Sequence, residues 1–291
     1  MTAPVVAPAA AALVALDAAY RASTARTAIA VARVLLNRWS SVEPDDLSGT
    51  GARWLAEAVQ VVLAGQRNAK QLANVYTEQV RRLQAPNAPR FTPAPDRPIT
   101  PDIIRKSLEF QAISTTAREL YRVKAVRDGE LESGVTDTES AIRSAEGRTA
   151  QLMEAAITRA AGTAVRQVTT AGHDQIYDNV MADPVATGWA RTTRPGCCYF
   201  CAMLASRGFV YKEDSFEASD PRFHGPGEHK VHDNCGCGMR PSYSRNDPAP
   251  DRNQAYEDLW IDMKDLRLPG ESDIQAWRRI YNESPLAAPT T

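Results

Sequence analysis

The sequence predicts a mainly α-helical fold, in which long helices form a body and a stalk and a small α+β module lies towards the C terminus. Two observations lead to this fold class. Long stretches without internal proline carry apolar residues at steps of three and four, the spacing of one helix face. All five cysteines of the 291 residues fall between residues 194 and 241, where that helical pattern is absent. We therefore divide the chain into five segments: residues 1–85, 86–101, 102–187, 188–243 and 244–291.

Residues 1–85 are expected to form an N-terminal helical region of two long helices. Residues 9–40 are rich in alanine and contain no proline. Pro44 and Gly51 interrupt the pattern, and a second amphipathic helix should run from residue 52 to residue 83. Through residue 90 there are ten Lys and Arg against six Asp and Glu, an excess that a solvated helix face explains as well as DNA contact does.

Residues 86–101 contain six prolines in sixteen positions. A run of this kind cannot continue a helix and favours extended, semi-rigid backbone. We therefore expect a linker, or a segment that lies on a partner.

Residues 102–187 are expected to form the helical stalk. A first helix should cover residues 102–127 and end at the turn signals around Asp128-Gly129 and Ser133-Gly134. A second helix should start near Thr138 and, if continuous to Val180, extend for roughly 60 Å at about 1.5 Å per residue. This long helix would lead directly into the cysteine-rich module.

The cysteine-rich module has the residue spacing of a small zinc site. A Cys-x-x-Cys pair is followed about thirty residues later by His-x-x-Cys-x-Cys, and two such clusters can grip a tetrahedral ion from opposite sides. The two-residue spacer selects Cys198 and Cys201 as one pair of ligands and leaves Cys197 as the spare thiol. His232, Cys235 and Cys237 compete for the two remaining ligand positions. The candidate ligands are Cys198, Cys201, His232, Cys235 and Cys237.

Other states of these cysteines remain open. Disulfides are one alternative, although an odd number of cysteines and a reducing cytosol disfavour them. Buried thiols acting as small hydrophobic residues are a second, and an iron–sulfur cluster is a third, although neither ferredoxin spacing is present. A zinc ion would be structural, because thiolate ligands dominate. The deaminase motif His-x-Glu is also absent, since His173 is followed by Asp174 and Gln175, with Gln in the place of Glu.

Around the cysteines we expect a turn at Cys198, a short helix through Leu204 and a strand over residues 208–211. Two short helices should follow, over residues 254–266 and 272–281. Their aromatic side chains are interpreted as core packing, with docking to a partner as the alternative. These aromatic residues are Tyr256, Trp260, Trp277 and Tyr281. His224 and His229 are interpreted as solvated loop residues.

Part of the module resembles a known family. Residues 188–191, 198–208, 210–211 and 232–237 are similar to the C-terminal motif of phage Mu protein F-like (MuF) minor head proteins, above all to the versions in tailed phages of actinobacteria. The resemblance covers about 60 of the 291 residues. It implies a minor capsid protein, made in the host cytoplasm and located inside the phage head near the portal, that acts in head assembly, DNA packaging or ejection.

The resemblance implies the portal and other capsid or scaffold proteins as partners. Self-association through the long helices and non-specific contact with packaged DNA remain open, although a net charge of −1 supplies no general basic character. No apolar run reaches the eighteen residues of a membrane span and no secretory signal is evident, so we expect a soluble intracellular product without a membrane partner.

Two further function classes remain beside a structural head protein. A head maturation protease that processes scaffold or coat would need an activated serine. Ser206 and Ser215 lie near His224, His229 and His232 in sequence, but no motif surrounds either serine. A zinc-finger DNA-binding protein is less consistent, because the cysteine-to-histidine spacing is too long for a finger. The sequence therefore favours an interaction protein over an enzyme, with no catalytic residue assigned.

Overall fold

The computed structural model describes residues 6–98, 100–133, 137–211, 236–244, 247 and 251–288. These residues are mainly α-helical, as the sequence predicts. None of the helices in these ranges is long and apolar enough to cross a membrane. The helices are α1 (Val6–Trp39), α2 (Leu47–Gln84), α3 (Pro101–Leu108), α4 (Thr115–Ser133), α5 (Thr138–Ala182), α6 (Tyr199–Ala205), α7 (Asp251–Met263) and α8 (Asp273–Glu283).

The two long N-terminal helices are confirmed, but the break between them is shorter than predicted. α2 begins at Leu47 and includes Gly51, which the sequence placed in the break. The reason is local capping at Asp46, where the carboxylate accepts the N–H of Gly49 at 3.1 Å and the carbonyl accepts the Thr50 hydroxyl at 2.6 Å. These bonds satisfy groups at the helix start and allow a Gly-containing segment to be helical.

The turn predicted at Asp128-Gly129 is wrong, because α4 continues through both residues to Ser133. A single exposed glycine in a helix costs only about 1 kcal/mol relative to alanine, and good helix formers on both sides compensate for it. A π-helical stretch, Glu109–Ser114, joins α3 to α4 and was not predicted either. The sequence therefore located the helical segment but not its internal irregularity or its end.

The long helix α5 begins at Thr138, as predicted, and ends at Ala182. It does not stand free as a stalk, because its buried side chains extend from Ala141 to Val180. Most of these side chains are alanine or β-branched, so neighbouring helices can approach the backbone closely. The stalk expectation is thus corrected: α5 is a central packing element along most of its length.

The chain packs into two units, and each is built from separated pieces of sequence. The cysteine unit comprises residues 1–26, 68–97 and 169–291, and the helical unit comprises residues 27–67 and 98–168. α1, α2 and α5 each contribute residues to both units. This division follows packing and not chain order, unlike the five consecutive segments drawn from the sequence.

The proline-rich segment is non-helical, as predicted. Within the cysteine unit it is fastened to its own helices by its backbone. The N–H of Ala94 donates to Asn179 Oδ1 at 2.9 Å and its carbonyl accepts Gln175 Nε2 at 3.1 Å, while Lys70 Nζ donates to the carbonyl of Arg97 at 2.9 Å. Residues 86–97 therefore lie along α2 and α5 and are not a free tether.

A three-stranded antiparallel sheet in the cysteine unit flanks the cysteine-rich turn. Its strands are β1 (Gly188–Thr192), β2 (Phe209–Tyr211) and β3 (Gly238–Ser242), in the order β2-β1-β3. The central strand β1 pairs Trp189 with Val210 on one side and with Pro241 on the other. Only β2 was predicted. β1 and β3 are five residues long and buried throughout, so they show no alternation, and β3 contains a proline.

Gly65 in α2 gives a test of how closely the helical unit is packed. A Cβ at this position would lie 2.6 Å from Val31 Cγ2 and 2.9 Å from Val168 Cγ2. Because valine is short and stiff, Gly65→Ala should destabilise the protein by about 1–3 kcal/mol. Gly129→Ala is the matched control: a Cβ there meets nothing within 4 Å, so the change should stabilise α4 by up to about 1 kcal/mol. Urea unfolding measures the unfolding free energy of both variants. Equal changes in the two variants would contradict the close packing around Gly65.

Candidate metal centre

The first group of cysteines lies on the turn between β1 and α6. Gly196, in the left-handed region with φ 64°, allows the chain to reverse direction before the cysteines. Cys198 is the N-cap residue of α6, and its Sγ accepts the backbone N–H of Cys201 at 3.4 Å. The turn therefore holds Cys198 and Cys201 side by side, as a Cys-x-x-Cys metal pair requires.

The sheet brings a later cysteine back to the same place. Cys237 immediately precedes β3, whose first residue, Gly238, pairs with Thr192 at the end of β1. The side chains of Cys197 and Cys237 are hydrogen-bonded to each other, and both are buried. Strand pairing thus places the end of the cysteine-rich module against its beginning.

Two tyrosines from the C-terminal helices enclose Cys197. Its Sγ lies 3.5 Å from the Tyr256 hydroxyl of α7 and 3.4 Å from the Tyr281 hydroxyl of α8. Hydrogen bonding to Cys237, and then to Tyr281 and Tyr256, lowers the pKa of the Cys197 thiol to about 6 against the opposing effect of burial. The same environment raises the pKa of both tyrosines, first of all through burial.

Backbone carbonyls of the cysteine turn are hydrogen-bonded to α8. The Tyr281 hydroxyl donates to the carbonyl of Cys197 at 2.7 Å, and Trp277 Nε1 donates to the carbonyl of Tyr199 at 2.7 Å. Trp277 and Tyr281 are one turn apart on α8 and almost completely buried, in one apolar cluster with the cysteines and α6. The C-terminal helix therefore fixes the position of the turn.

A profile described as VG15 protein matches residues 14–263 of the chain. The chain belongs to the VG15 protein family. The match identifies it as a phage protein related to the virion. Comparison with curated proteins and with solved structures found no match. The region matched to the VG15 family ends with α7, so it contains the cysteine turn and the whole sheet, while α8 lies beyond it.

Three of the five predicted metal ligands of this VG15 family member are described. Cys198 and Cys201 lie together on the turn, and Cys237 lies against Cys197, the thiol that was predicted to be spare. His232 and Cys235 lie outside the described residues, as do Ser215, His224 and His229. Within the described ranges, no three Cys, His, Asp or Glu side chains come together as a group able to hold a metal ion.

The chemistry of the described pair fits one half of a zinc site. Cys198 and Cys201 supply two sulfur donors from one turn, and the N–H of Cys201 stabilises negative charge on the Cys198 sulfur. The disulfide alternative does not apply to the described cysteines: Cys197, Cys198, Cys201 and Cys237 are not joined in disulfides. Of the other predicted donors, Cys237 lies against Cys197, and His232 and Cys235 fall in the part of the sequence that the structure does not describe.

The aromatic residues of α7 and α8 are core residues, as interpreted from the sequence. Tyr256, Trp277 and Tyr281 are buried, and Trp260 is partly buried with its ring 5.2 Å from that of Trp277. What the sequence did not show is their contact with the cysteine turn. The available signal was the four-residue spacing of Trp277 and Tyr281, which places both on one face of α8.

A buried ionic group connects β3 to α1 and was not predicted. Arg240 of β3 lies 3.4 Å from Asp17 of α1 and 3.5 Å from Asp247, and Asp17 also accepts the Tyr76 hydroxyl at 2.5 Å. Burial raises the pKa of Asp17, while the Arg240 guanidinium opposes that shift. These contacts connect α1, α2 and β3 within the cysteine unit.

The contribution of the α8 contacts can be measured with Tyr281→Phe. Removing the hydroxyl leaves the buried carbonyl of Cys197 without its donor, so we expect a loss of about 1–3 kcal/mol of unfolding free energy. Tyr121→Phe is the matched control, because Tyr121 is 76 % exposed, and its effect should stay within about 0.5 kcal/mol. Chemical denaturation of the two variants measures these changes in unfolding free energy. A Tyr281→Phe protein as stable as the control would mean that α8 does not support the turn.

Proposed function

We propose that this protein is a minor capsid protein of a tailed phage, located inside the head and associated with the portal, and that it acts in head assembly, DNA packaging or ejection. The observation that carries the proposal is the family match over residues 14–263, which identifies a phage protein. The MuF-like motif around the cysteines supplies the finer assignment, because that family implies a low-copy head protein beside the portal.

The fold is consistent with a structural role. In the cysteine unit, polar side chains near the sheet are used in buried contacts, such as Arg81 with Asp183 at 2.7 Å and Arg240 with Asp17. Pairs of this kind are expensive to break and fix one arrangement of the helices. A module held by such buried contacts suits a protein that other chains must bind in one geometry.

The helical unit offers apolar surface for such partners. Several large apolar side chains are exposed on its helices, where they gain nothing from the core of the unit. A portal subunit, another capsid or scaffold protein, or a second copy of this chain could cover them. These residues are Ile29 and Leu36 of α1, Ile103 of α3, Phe110, and Tyr121 and Val126 of α4.

The protease alternative receives no support from the described serine. Ser206 is 7 % exposed and follows α6, where its hydroxyl donates to the carbonyl of Met203 at 2.8 Å. A serine nucleophile must give this proton to a general base. Ser206 instead has the position of a residue that satisfies a helix end.

We further propose that a structural zinc ion belongs to the cysteine unit. Cys198 and Cys201 would supply two ligands, and two of His232, Cys235 and Cys237 would complete the tetrahedral shell. When bound, such an ion contributes folding energy on the order of 10 kcal/mol and performs no chemistry on a substrate. The chain's own role is to hold the Cys198–Cys201 pair at the start of α6.

Purified protein prepared without chelator should therefore contain about one zinc per chain. Cys201→Ser should lose the metal, because it removes one of four ligands, while Cys197→Ser should keep it. Elemental analysis by mass spectrometry measures both variants and the wild type. Wild-type protein without zinc would refute the proposed metal site. Equal loss of zinc in both variants would refute the choice of Cys201 over Cys197 as a ligand.

The location can be tested in the phage itself. Quantitative mass spectrometry of purified virions should find this protein in far fewer copies than the coat protein, and cross-linking should join it to the portal. Deleting its gene should give heads that are empty, or full but non-infectious, which separates packaging from ejection. A copy number equal to that of the coat, or absence from both procapsids and virions, would refute the proposal.

A further inference from the structure

The two C-terminal helices expose apolar and acidic side chains on one part of the cysteine unit. We propose that this surface, called here the C-terminal patch, binds a basic, amphipathic helix of a partner protein. The inference rests on the proposed function, because it assumes that the chain acts by binding other proteins. It goes beyond that function by naming a surface and the chemistry of its partner. The patch comprises Ile261, Leu266, Leu268, Ile274, Asp258, Asp262 and Asp265.

The four aliphatic side chains of the patch are exposed although the contact between α7 and α8 is complete without them. Each of the four is between 41 and 56 % exposed. Met263, Ala276 and Ile280 are buried where the two helices meet, with Leu259 and Trp260 packed against them. Large aliphatic side chains grouped on a surface are typical of protein–protein contacts, because covering them removes apolar area from water. The patch therefore has the composition of a binding surface.

Hydrogen bonds from α8 hold the turn that carries the two leucines of the patch. Arg279 donates to both carboxylate oxygens of Glu271, at 3.0 and 2.8 Å, and to the carbonyl of Leu266 at 3.1 Å. The Glu271 carboxylate also accepts the N–H of Leu268 at 2.9 Å. Both leucines thus lie on backbone that is fastened to α8, so a partner that covers them would have little of this turn to order on binding.

Two further contacts join the rest of the patch to the same turn. Arg267 lies between the two leucines in sequence and donates to Asp273 at 2.8 Å. Asp273 directly precedes Ile274, so the start of α8 is held beside the turn. At the end of α7, the N–H of Lys264 donates to the carbonyl of Ile261 at 3.2 Å. The four aliphatic residues therefore belong to one hydrogen-bonded segment of the surface.

The patch carries negative charge that the described part of the chain does not neutralise. Asp258, Asp262 and Asp265 form no ion pair with a described residue, whereas the two arginines of the turn and of α8 are paired with Asp273 and Glu271. Residues 251–288 contain eight Asp and Glu against five Lys and Arg. Three carboxylates therefore remain available to the side chains of a partner.

These charges decide which partner fits. Carboxylates beside apolar side chains attract Lys and Arg and repel the phosphates of DNA. The helical unit of a second copy offers no excess of positive charge, because residues 27–67 and 98–168 contain fourteen Lys and Arg against fourteen Asp and Glu. Residues 251–288 contain no strand, so an extended peptide has no sheet edge to join there. A helix with aliphatic residues on one face and basic residues on the other meets each of these conditions.

The test uses the full-length protein and a fluorescent synthetic peptide that forms a helix with leucine on one face and lysine on the other. Fluorescence anisotropy should show saturable binding that weakens as the salt concentration rises. Leu266→Ser with Leu268→Ser should weaken binding about tenfold or more, since it removes apolar contact. Asp262→Asn with Asp265→Asn should weaken it about threefold or more and reduce its salt dependence.

Matched controls come from the helical unit and from the peptide. Ile103→Ser with Phe110→Ser changes two apolar side chains that are 59 and 55 % exposed, and should leave binding unchanged. Glu130→Gln with Glu132→Gln should also leave it unchanged. A peptide with glutamate in place of lysine should not bind. Circular dichroism checks that each variant is folded, as expected for changes of exposed residues.

The outcomes separate this inference from the other occupants and from the proposed function. The inference is overturned if the lysine peptide does not bind, if the glutamate peptide binds equally well, or if patch and control variants lose binding equally. Self-association, or binding of a DNA duplex, that the patch variants abolish also overturns it. Specific peptide binding by a protein that is absent from procapsids and virions supports the patch and refutes the proposed function. Cross-linking to the portal without peptide binding does the reverse.

Discussion

Two hydrogen bonds from α8 hold the turn at the candidate metal centre. Trp277 and Tyr281 donate to the carbonyls of Tyr199 and Cys197, so they fix the backbone of the turn that carries the cysteines. Both donors and both acceptors are buried, and each missing bond would leave an unsatisfied polar group. The indole and phenol rings also fill the apolar cluster around the thiols. This short helix thus holds the turn that carries Cys197, Cys198 and Cys201.

The sheet of the cysteine unit also supports this arrangement. β1 enters the turn and β3 returns to it, while Arg240 connects β3 to Asp17 of α1. Neither side chain would be tolerated alone in the interior, since an unpaired buried charge costs several kcal/mol. The sheet pairing and this buried ion pair thus constrain the module together with α8. A module of this kind would suit the structural role that we propose.

The helices could be predicted because they depend on local patterns. The start of α5 at Thr138 and the ends of α1 and α2 follow from apolar spacing and from proline. The partners of Cys197 could not be predicted in the same way. They come from Cys237, Tyr256 and Tyr281, which are 40 to 84 positions away in the sequence, and no local pattern shows which of several cysteines will meet. The buried strands β1 and β3 were missed because a fully buried strand of five residues has no alternation to detect.

The dependence of the cysteine turn on α8 can be measured most directly by hydrogen–deuterium exchange of the double variant Trp277→Phe, Tyr281→Phe. The two changes remove both donors and keep an aromatic ring at each position. The account predicts that amides of residues 199–205 exchange faster together with those of α8, while those of residues 52–67 in the helical unit do not change and serve as the reference. Faster exchange in α8 alone, with α6 as protected as in the wild type, would contradict it.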